Sequence, residues 1–134
     1  MILTNFKSVT YFFFIFLLVS CTATKSTTST KKSTAKLFKD NVEASYYADK
    51  FNGRKTASGE IFDNSKMTCA HRTLAFGTKL KVANPANNKE VIVIVNDRGP
   101  QKTSREIDLS KAAFIKLAEN INQGILKVDI AIVN

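Results

Sequence analysis

The segment at residues 96–100, NDRGP, places an acid and a base beside a turn. It follows the apolar run VIVIV at 91–95, which is typical of a buried strand. Gly99 and Pro100 suit a chain reversal, but a reversal needs no carboxylate and no guanidinium. Asp97 and Arg98 are therefore candidates for a functional site. Two alternatives remain open: an ion pair between Asp97 and Arg98, or an Asp97 that caps its own turn by accepting backbone N–H groups.

Two further segments carry titratable side chains that could belong to a functional site. Glu60 lies in TASGE at 56–60, and His71, the only histidine, lies in TCAHRTL at 68–74. Each also has an ordinary explanation, since Glu60 could be an exposed strand residue and His71 a buried histidine with satisfied hydrogen bonds. Asp108 is interpreted chiefly as structural, either at the start of a helix or paired with Arg105.

Cys69 precedes the histidine by two residues and could be drawn as a nucleophile or a metal ligand. One cysteine and one histidine are a poor zinc set, however. A lone cysteine more often packs as a small hydrophobic residue. We therefore predict no metal and no other cofactor.

The elements that must position these residues are mostly short strands. β-branched, aromatic or alternating stretches occur at 42–48, 79–84, 90–96 and 125–134. The segment PANNK between the second and third predicts a hairpin, with Asn87 and Asn88 suited to positive φ. Residues 110–124 have helical spacing, with Ser110 as N-cap and Gly124 as the stop. One helix among several strands predicts a mainly β, small closed barrel over residues 40–134.

The first twenty residues are typical of an export signal. An apolar stretch at 11–19 is too short to span a bilayer as a helix. The sequence LVSC at 18–21 resembles a bacterial lipobox, which predicts cleavage before Cys21 and lipidation of that cysteine. A plain secretory signal is the alternative. Thr22 follows Cys21 where an aspartate would favour inner-membrane retention, so we expect a lipid-anchored envelope protein facing the periplasm, on the outer rather than the inner membrane.

Residues 21–39 read as a flexible basic tether between lipid and barrel. They contain five lysines, no acid and many Ser and Thr residues. Of the formal net charge of +9, only +3 remains for residues 40–134. An exported chain meets no nucleic acid, so the lysines are expected to lie against anionic lipid or wall polymer.

The ordered motifs resemble those of the rare lipoprotein A family of septal-ring lytic transglycosylases. The shared pattern comprises Tyr46-Tyr47, TASGE at 56–60, AHRTLAFGT at 70–78, NDRGP at 96–100 and REIDLS at 105–110. Departures occur at Ala48-Asp49, Cys69 and Ala75. The resemblance implies a six-stranded double-psi β-barrel with one short helix. It also implies that Asp97, Glu60 and His71 line a glycan cleft as catalytic residues, with substrate-binding groups at Thr56, Ser58, Arg98 and Arg105.

The activity that the resemblance implies is endolytic cleavage of peptidoglycan glycan strands with few stem peptides. A lytic enzyme protonates the bond between N-acetylmuramic acid and N-acetylglucosamine and closes the C6 hydroxyl onto C1, which leaves 1,6-anhydro ends. Glu60 could raise the pKa of Asp97 by like charge or could position the sugar. One alternative is a non-catalytic, expansin-like glycan-binding lipoprotein. Another is a structural lipoprotein that docks on the cell-division machinery.

Overall fold

The computed structural model describes residues 34–134. The predicted signal, the lipidation of Cys21 and the tether up to residue 33 lie outside the described residues. The strands are β1 (Ala35–Tyr46), β2 (Thr68–His71), β3 (Lys79–Asn84), β4 (Lys89–Asp97), β5 (Arg105–Leu109) and β6 (Leu126–Val133). One α-helix, α1 (Lys111–Leu117), and two 3₁₀ turns, Asp49–Phe51 and Ile121–Gln123, complete the fold. Within these residues no helix has both the length and the apolar character needed to cross a membrane.

The strands close into a barrel in the order β1-β5-β2-β4-β3-β6. Two neighbouring pairs, β1 with β5 and β2 with β4, run parallel, and the other four pairs run antiparallel. This closed six-stranded barrel with one helix confirms the predicted fold class. Closure leaves no sheet edge unpaired, which is how so short a chain protects its strand edges.

The barrel interior is filled by alternate residues of the strands. In β3 and β4 the buried apolar positions are Leu80, Val82, Val91, Val93 and Val95, and each is at most 8% exposed. The period of two seen in the sequence therefore corresponds to one face turned inward and one turned outward. Phe114 and Leu117 of α1 are fully buried and extend this core beyond the barrel wall.

The predicted helix at 110–124 is wrong in its length. Ser110 does cap α1 by accepting a hydrogen bond from the Ala113 N–H, but the helix ends at Leu117. Ala118 is extended, and Gly124, the predicted stop, instead ends the second 3₁₀ turn with positive φ.

The reason for the early helix end lies in the hairpin between β3 and β4. The amide groups of Asn84 and Asn87 both donate to the Leu117 carbonyl, and the Lys89 ammonium donates to the Ala118 carbonyl. The last carbonyls of a helix lack partners within it, and here side chains of a distant hairpin supply them. The hairpin itself is confirmed, with positive φ at Asn88 but not at Asn87.

The predicted boundary between tether and barrel at residue 40 is also wrong. Strand β1 begins at Ala35 and pairs antiparallel with β6 over residues 35–44. Phe38 packs against the core and lies edge-on to the His71 ring, 5.6 Å between centroids. The Lys39 ammonium lies 2.8 Å from the Glu106 carboxylate. Residues 35–39 are thus part of the barrel.

A chain that starts at Asp40 should be less stable than one that starts at Thr34. It loses the first part of β1, the Phe38 contacts and Lys39, one of the three partners of Glu106. The expected cost is about 2 kcal/mol or more. Chemical denaturation of the two chains measures the difference. Equal free energies of unfolding would contradict the assignment of residues 35–39 to the barrel.

Candidate active site

A cleft of about 500 Å³ opens at one end of the barrel. Its lining comes from the end of β1 and the following 3₁₀ turn, from the end of β4 and from β5. These residues are Tyr46, Tyr47, Ala48, Lys50, Phe51, Asp97, Arg98, Gly99, Gln101, Arg105 and Asp108. Aromatic rings and charges of both signs therefore share one cleft, a combination suited to a polar ligand with flat apolar faces.

Strand register places two carboxylates in this cleft, one on either side of β2. Ala70 of β2 is the register partner of Asp97 on β4 and of Asp108 on β5. Neighbouring strands are about 4.8 Å apart, so the two aspartate Cα atoms are roughly 10 Å apart. The two acids therefore flank Ala70 and line the same cleft.

Asp97 is held by three hydrogen bonds. Its Oδ1 accepts from the backbone N–H groups of Ala57 and Arg98, both at 2.8 Å. Its Oδ2 accepts from the Tyr47 hydroxyl at 2.6 Å. The capping alternative is therefore partly correct, because one donor is the next residue of the turn. The other two donors come from 40 and 50 residues away, so the carboxylate is fixed by the tertiary structure and not by its turn alone.

Tyr47 is a residue of the cleft whose role the sequence did not indicate. Burial, reinforced by its hydrogen bond to Asp97, raises the pKa of Tyr47 well above its usual range. The phenol therefore stays protonated and acts as a donor, not as a base. The signal that could have found it is the Tyr46-Tyr47 pair at the end of a strand.

The TASGE segment is docked on the end of β4, but mainly through its backbone. The Ser58 N–H donates to the Asn96 carbonyl, and the Asn96 amide donates to the Glu60 carboxylate at 3.0 Å. Thr56 is buried, and its hydroxyl contacts the Ser58 hydroxyl and the Glu60 carbonyl. None of the side chains of Thr56, Ser58 and Glu60 lines the cleft. The segment contributes the Ala57 N–H that orients Asp97, and the predicted roles of its side chains stay predictions.

Arg98 and Arg105, which were predicted to bind substrate, line the cleft with different surroundings. The Arg98 guanidinium stacks over the Phe76 ring, 3.8 Å from its centroid, and donates to the His71 carbonyl. Within the described residues Arg98 forms no ion pair with Asp97. The ion pair that the sequence left open as an alternative is therefore not found. Arg105 donates to the Ser45 hydroxyl at 2.8 Å, and its Nε lies 3.7 Å from Asp108 Oδ1.

Asp108 lies in the cleft and was interpreted from the sequence as structural. Its Oδ1 accepts a hydrogen bond from the Ser45 hydroxyl and faces Arg105, as that interpretation expected. Its Oδ2 lies 4.0 Å from the position that a Cβ at Gly99 would occupy. Gly99 has a φ of +140° and no side chain, so this acid can approach the turn of the NDRGP segment closely.

The expectation that the His71 ring lines the cleft is not met. The residue is 1% exposed, and both ring nitrogens have partners. Nδ1 accepts from the N–H groups of Thr73 and Leu74, so the proton is on Nε2, which lies 3.0 Å from Glu106 Oε1. Burial lowers the pKa of His71 despite the opposing effect of Glu106. His71 is therefore neutral and buried, and its ring donates a hydrogen bond to Glu106. Its link to the cleft is through its backbone carbonyl, which accepts a hydrogen bond from Arg98.

Stability should fall as the pH is lowered from 7 to 5, because of His71. Its pKa in the folded chain is below the ordinary histidine value of 6.5, so below pH 6.5 the unfolded chain binds a proton that the folded chain does not. The loss per pH unit can reach about 1.4 kcal/mol for one such group. His71→Asn keeps an acceptor for the two N–H groups and should flatten the pH dependence of the melting temperature over this range. An unchanged slope would contradict the assignment.

Cys69 is buried, which agrees with its interpretation as a small hydrophobic residue. Burial raises the pKa of its thiol far above the usual range, so it is not a thiolate nucleophile. Across residues 34–134, no three His, Cys, Asp or Glu side chains form a group that could hold a metal ion.

Residues 39–130 match the model of a family described as lytic transglycolase. Among curated proteins, the chain is 58% identical over 87 residues to a probable endolytic peptidoglycan transglycosylase RlpA of Treponema pallidum. It is 48% identical over 103 residues to the endolytic peptidoglycan transglycosylase RlpA of Rickettsia typhi. These matches cover 65% and 75% of this chain but only 27% and 32% of the relatives. The chain thus spans about a third or less of these two relatives.

Solved structures with similar barrels include proteins of other descriptions. A Streptomyces papain inhibitor aligns with a TM-score of 0.56 at 26% identity, over 69% of this chain and 91% of the inhibitor. A Clavibacter michiganensis expansin variant in complex with cellohexaose aligns with a TM-score of 0.57 at 22% identity, over 75% of this chain and 51% of the expansin. The expansin likeness shows the barrel fold alone.

Proposed function

The chain belongs to the lytic transglycolase family, and from this membership we propose that it is an endolytic peptidoglycan lytic transglycosylase. The proposed substrate is the bond between N-acetylmuramic acid and N-acetylglucosamine in strands with few stem peptides. The product carries a 1,6-anhydro-muramic end. The observation that carries the proposal is a carboxylate, Asp97, held in a fixed orientation within a cleft that also contains a second acid.

In the proposed reaction Asp97 acts first as acid and then as base. Two backbone N–H groups occupy Oδ1, so the exchangeable proton belongs on Oδ2. The Tyr47 hydroxyl can rotate to accept from a protonated Oδ2 or to donate to an ionised one. Oδ2 gives its proton to the glycosidic oxygen as the bond to C1 breaks. The C6 hydroxyl then attacks C1 and its proton returns to Oδ2, which restores the enzyme without water.

The roles proposed for the neighbouring residues follow from their positions. Asp108, across Ala70 from Asp97, would stabilise the positive charge that develops at C1 of an oxocarbenium-like transition state. Tyr47 and the Ala57 N–H fix the direction of the acid before substrate binds. His71 and Glu60 stabilise the segments on which cleft residues lie, and neither is assigned a role in proton transfer.

The test is an incubation of the purified chain with peptide-free glycan strands, followed by mass spectrometry of the products. Fragments that end in 1,6-anhydro-muramic acid are expected, in amounts that grow with time. Reducing ends instead would indicate hydrolysis, and intact strands would remove the enzymatic proposal.

A non-catalytic glycan binder is the second candidate, and the observation that favours it is a cleft that combines aromatic rings with charged side chains. Binding of intact strands without any new ends would select this candidate. The acid at Asp97, oriented by three hydrogen-bond donors, favours the enzyme.

We also propose that Cys21 is lipidated and that residues 21–34 connect the lipid to the barrel at an envelope membrane, the outer one where two exist. The support is the LVSC sequence and the basic, acid-free segment that follows it. Cys21→Ala should leave the precursor unprocessed by the lipoprotein signal peptidase. Normal processing and membrane association of that variant would contradict the anchor.

A further inference from the structure

Three cations line the cleft, and two of them have no acidic partner. Arg105 is engaged with Ser45 and lies near Asp108. Lys50 and Arg98 form no ion pair with any residue of the described part of the chain, and residues 1–33 contain no Asp or Glu that could serve. Cations left unpaired in a cleft are suited to an anionic group of the ligand.

Both cations are held against aromatic rings. The Arg98 guanidinium lies 3.8 Å from the Phe76 centroid, and the Lys50 ammonium lies 5.4 Å from the Phe51 centroid. Such contacts limit the orientations of long side chains without neutralising their charge. Arg98 also donates one hydrogen bond from Nη1 to the His71 carbonyl, so its other N–H groups remain available to a ligand. The two cations are therefore oriented by aromatic rings but have no acidic partner in the described part of the chain.

The proposed substrate offers one anionic group close to the scissile bond. Muramic acid carries a lactyl ether whose carboxylate is free in peptide-free strands and becomes an amide when a stem peptide is attached. Arg98 adjoins Asp97, the proposed acid, so an anion bound there lies near the muramic sugar that is being cleaved. Carboxylates of a stem peptide are the other source of the same charge, but they lie further from the sugar ring.

We propose that Lys50 and Arg98 bind the free lactyl carboxylate of the muramic residue and so select peptide-free strands. This inference rests on the proposed function, because it assumes that the glycan occupies this cleft. It assigns substrate selectivity to the barrel itself, through charge pairing at two named residues.

The experiment measures binding of glycan strands to the Asp97→Asn variant, in which the ligand stays intact. Three ligands are compared: strands with free lactyl groups, the same strands methyl-esterified, and strands that carry stem peptides. The free strands should bind about 3- to 10-fold more tightly than the esters, the range expected for partly exposed ion pairs. The difference should shrink at about 1 M salt, where charges are screened within ~3 Å.

Adding Lys50→Gln and Arg98→Gln to this background should bring the free and esterified strands to equal affinity. Lys116→Gln is the matched control, since Lys116 is exposed on α1 and does not line the cleft. The Lys116→Gln variant should keep the full difference in affinity between free and esterified strands. Because each variant is judged by the ratio of two ligands, partial unfolding does not mimic the effect.

Equal binding of free and esterified strands by Asp97→Asn would overturn the inference. So would tighter binding of peptide-bearing strands, or an equal loss of discrimination in Lys116→Gln. The proposed function fails by a different result, the absence of anhydro ends from the unaltered chain. A carboxylate preference without cleavage would support the lactyl site on a glycan-binding barrel.

Discussion

Asp97→Asn should lower the production of 1,6-anhydro ends by about 100-fold or more while glycan binding persists. The substitution removes the transferable proton, and general acid catalysis is typically worth 10²–10⁴-fold. The rate per folded molecule is obtained by mass spectrometry of products together with a thermal melt of the same sample. The melt is needed because Asp97 also accepts hydrogen bonds that stabilise the fold.

The structure indicates that the asparagine can be accommodated. Its amide oxygen can take the place of Oδ1 and accept from Ala57 and Arg98, while its NH₂ group faces the Tyr47 oxygen, which can act as acceptor. Replacing charge-assisted hydrogen bonds with neutral ones should cost about 1 kcal/mol of stability.

A matched control for this substitution is Asp129→Asn. Asp129 also accepts a backbone N–H, that of Asn41 at 2.8 Å, but it lies outside the cleft. Its variant should cost stability on the same scale and leave turnover unchanged. A fully active but destabilised Asp97→Asn variant would show that Asp97 only supports its turn.

Glu106→Ala should lower the free energy of unfolding by about 2–4 kcal/mol. The carboxylate is 11% exposed and accepts from Lys39, His71 and Arg72 at 2.8, 3.0 and 2.9 Å. Burial alone would disfavour its charge, but Lys39, His71 and Arg72 lower the pKa of Glu106 below its usual value. Removing the acid leaves a buried ring N–H and two cations without their acceptor, which costs more than the loss of an exposed pair.

The same substitution should also affect the cleft. Arg72 donates to the carbonyls of Arg105 and Pro100 as well as to Glu106, so it ties the segment 98–105 to β5. That segment supplies Arg98, Gly99 and Gln101 to the cleft lining. We expect a higher KM for glycan strands even at temperatures where the variant is fully folded.

Glu90→Ala is the control for the Glu106 prediction. Glu90 pairs with Lys81 at 3.1 Å on the outer surface, and its side chain is 58% exposed. Its removal should change stability by no more than about 0.5 kcal/mol. If denaturant titration gives Glu106→Ala and Glu90→Ala the same cost, the buried cluster does not stabilise the barrel as described.

The elements that the sequence predicted well are those determined by local patterns. The alternation at 79–84 and the apolar run at 90–96 became β3 and β4 because one face of each strand must be buried. The PANNK turn and the Ser110 cap were also identifiable, since a turn or a cap needs only neighbouring residues. The NDRGP motif likewise marked Asp97, which the structure places in the cleft.

Other features were decided by contacts between residues far apart in the chain. Strands β2 and β5 have four and five residues, too short for a periodic signal. Yet Ala70 of β2 lies between Asp97 and Asp108 and sets their spacing. The helix ends at Leu117 because a hairpin 30 residues away supplies donors to its carbonyl. Tyr47 forms a hydrogen bond with Asp97, which is 50 residues away in the chain, and the buried His71 ring contacts Glu106, which is 35 residues away. A sequence pattern reports which residues prefer burial, but closing the barrel through two parallel strand pairs determines which polar groups then meet.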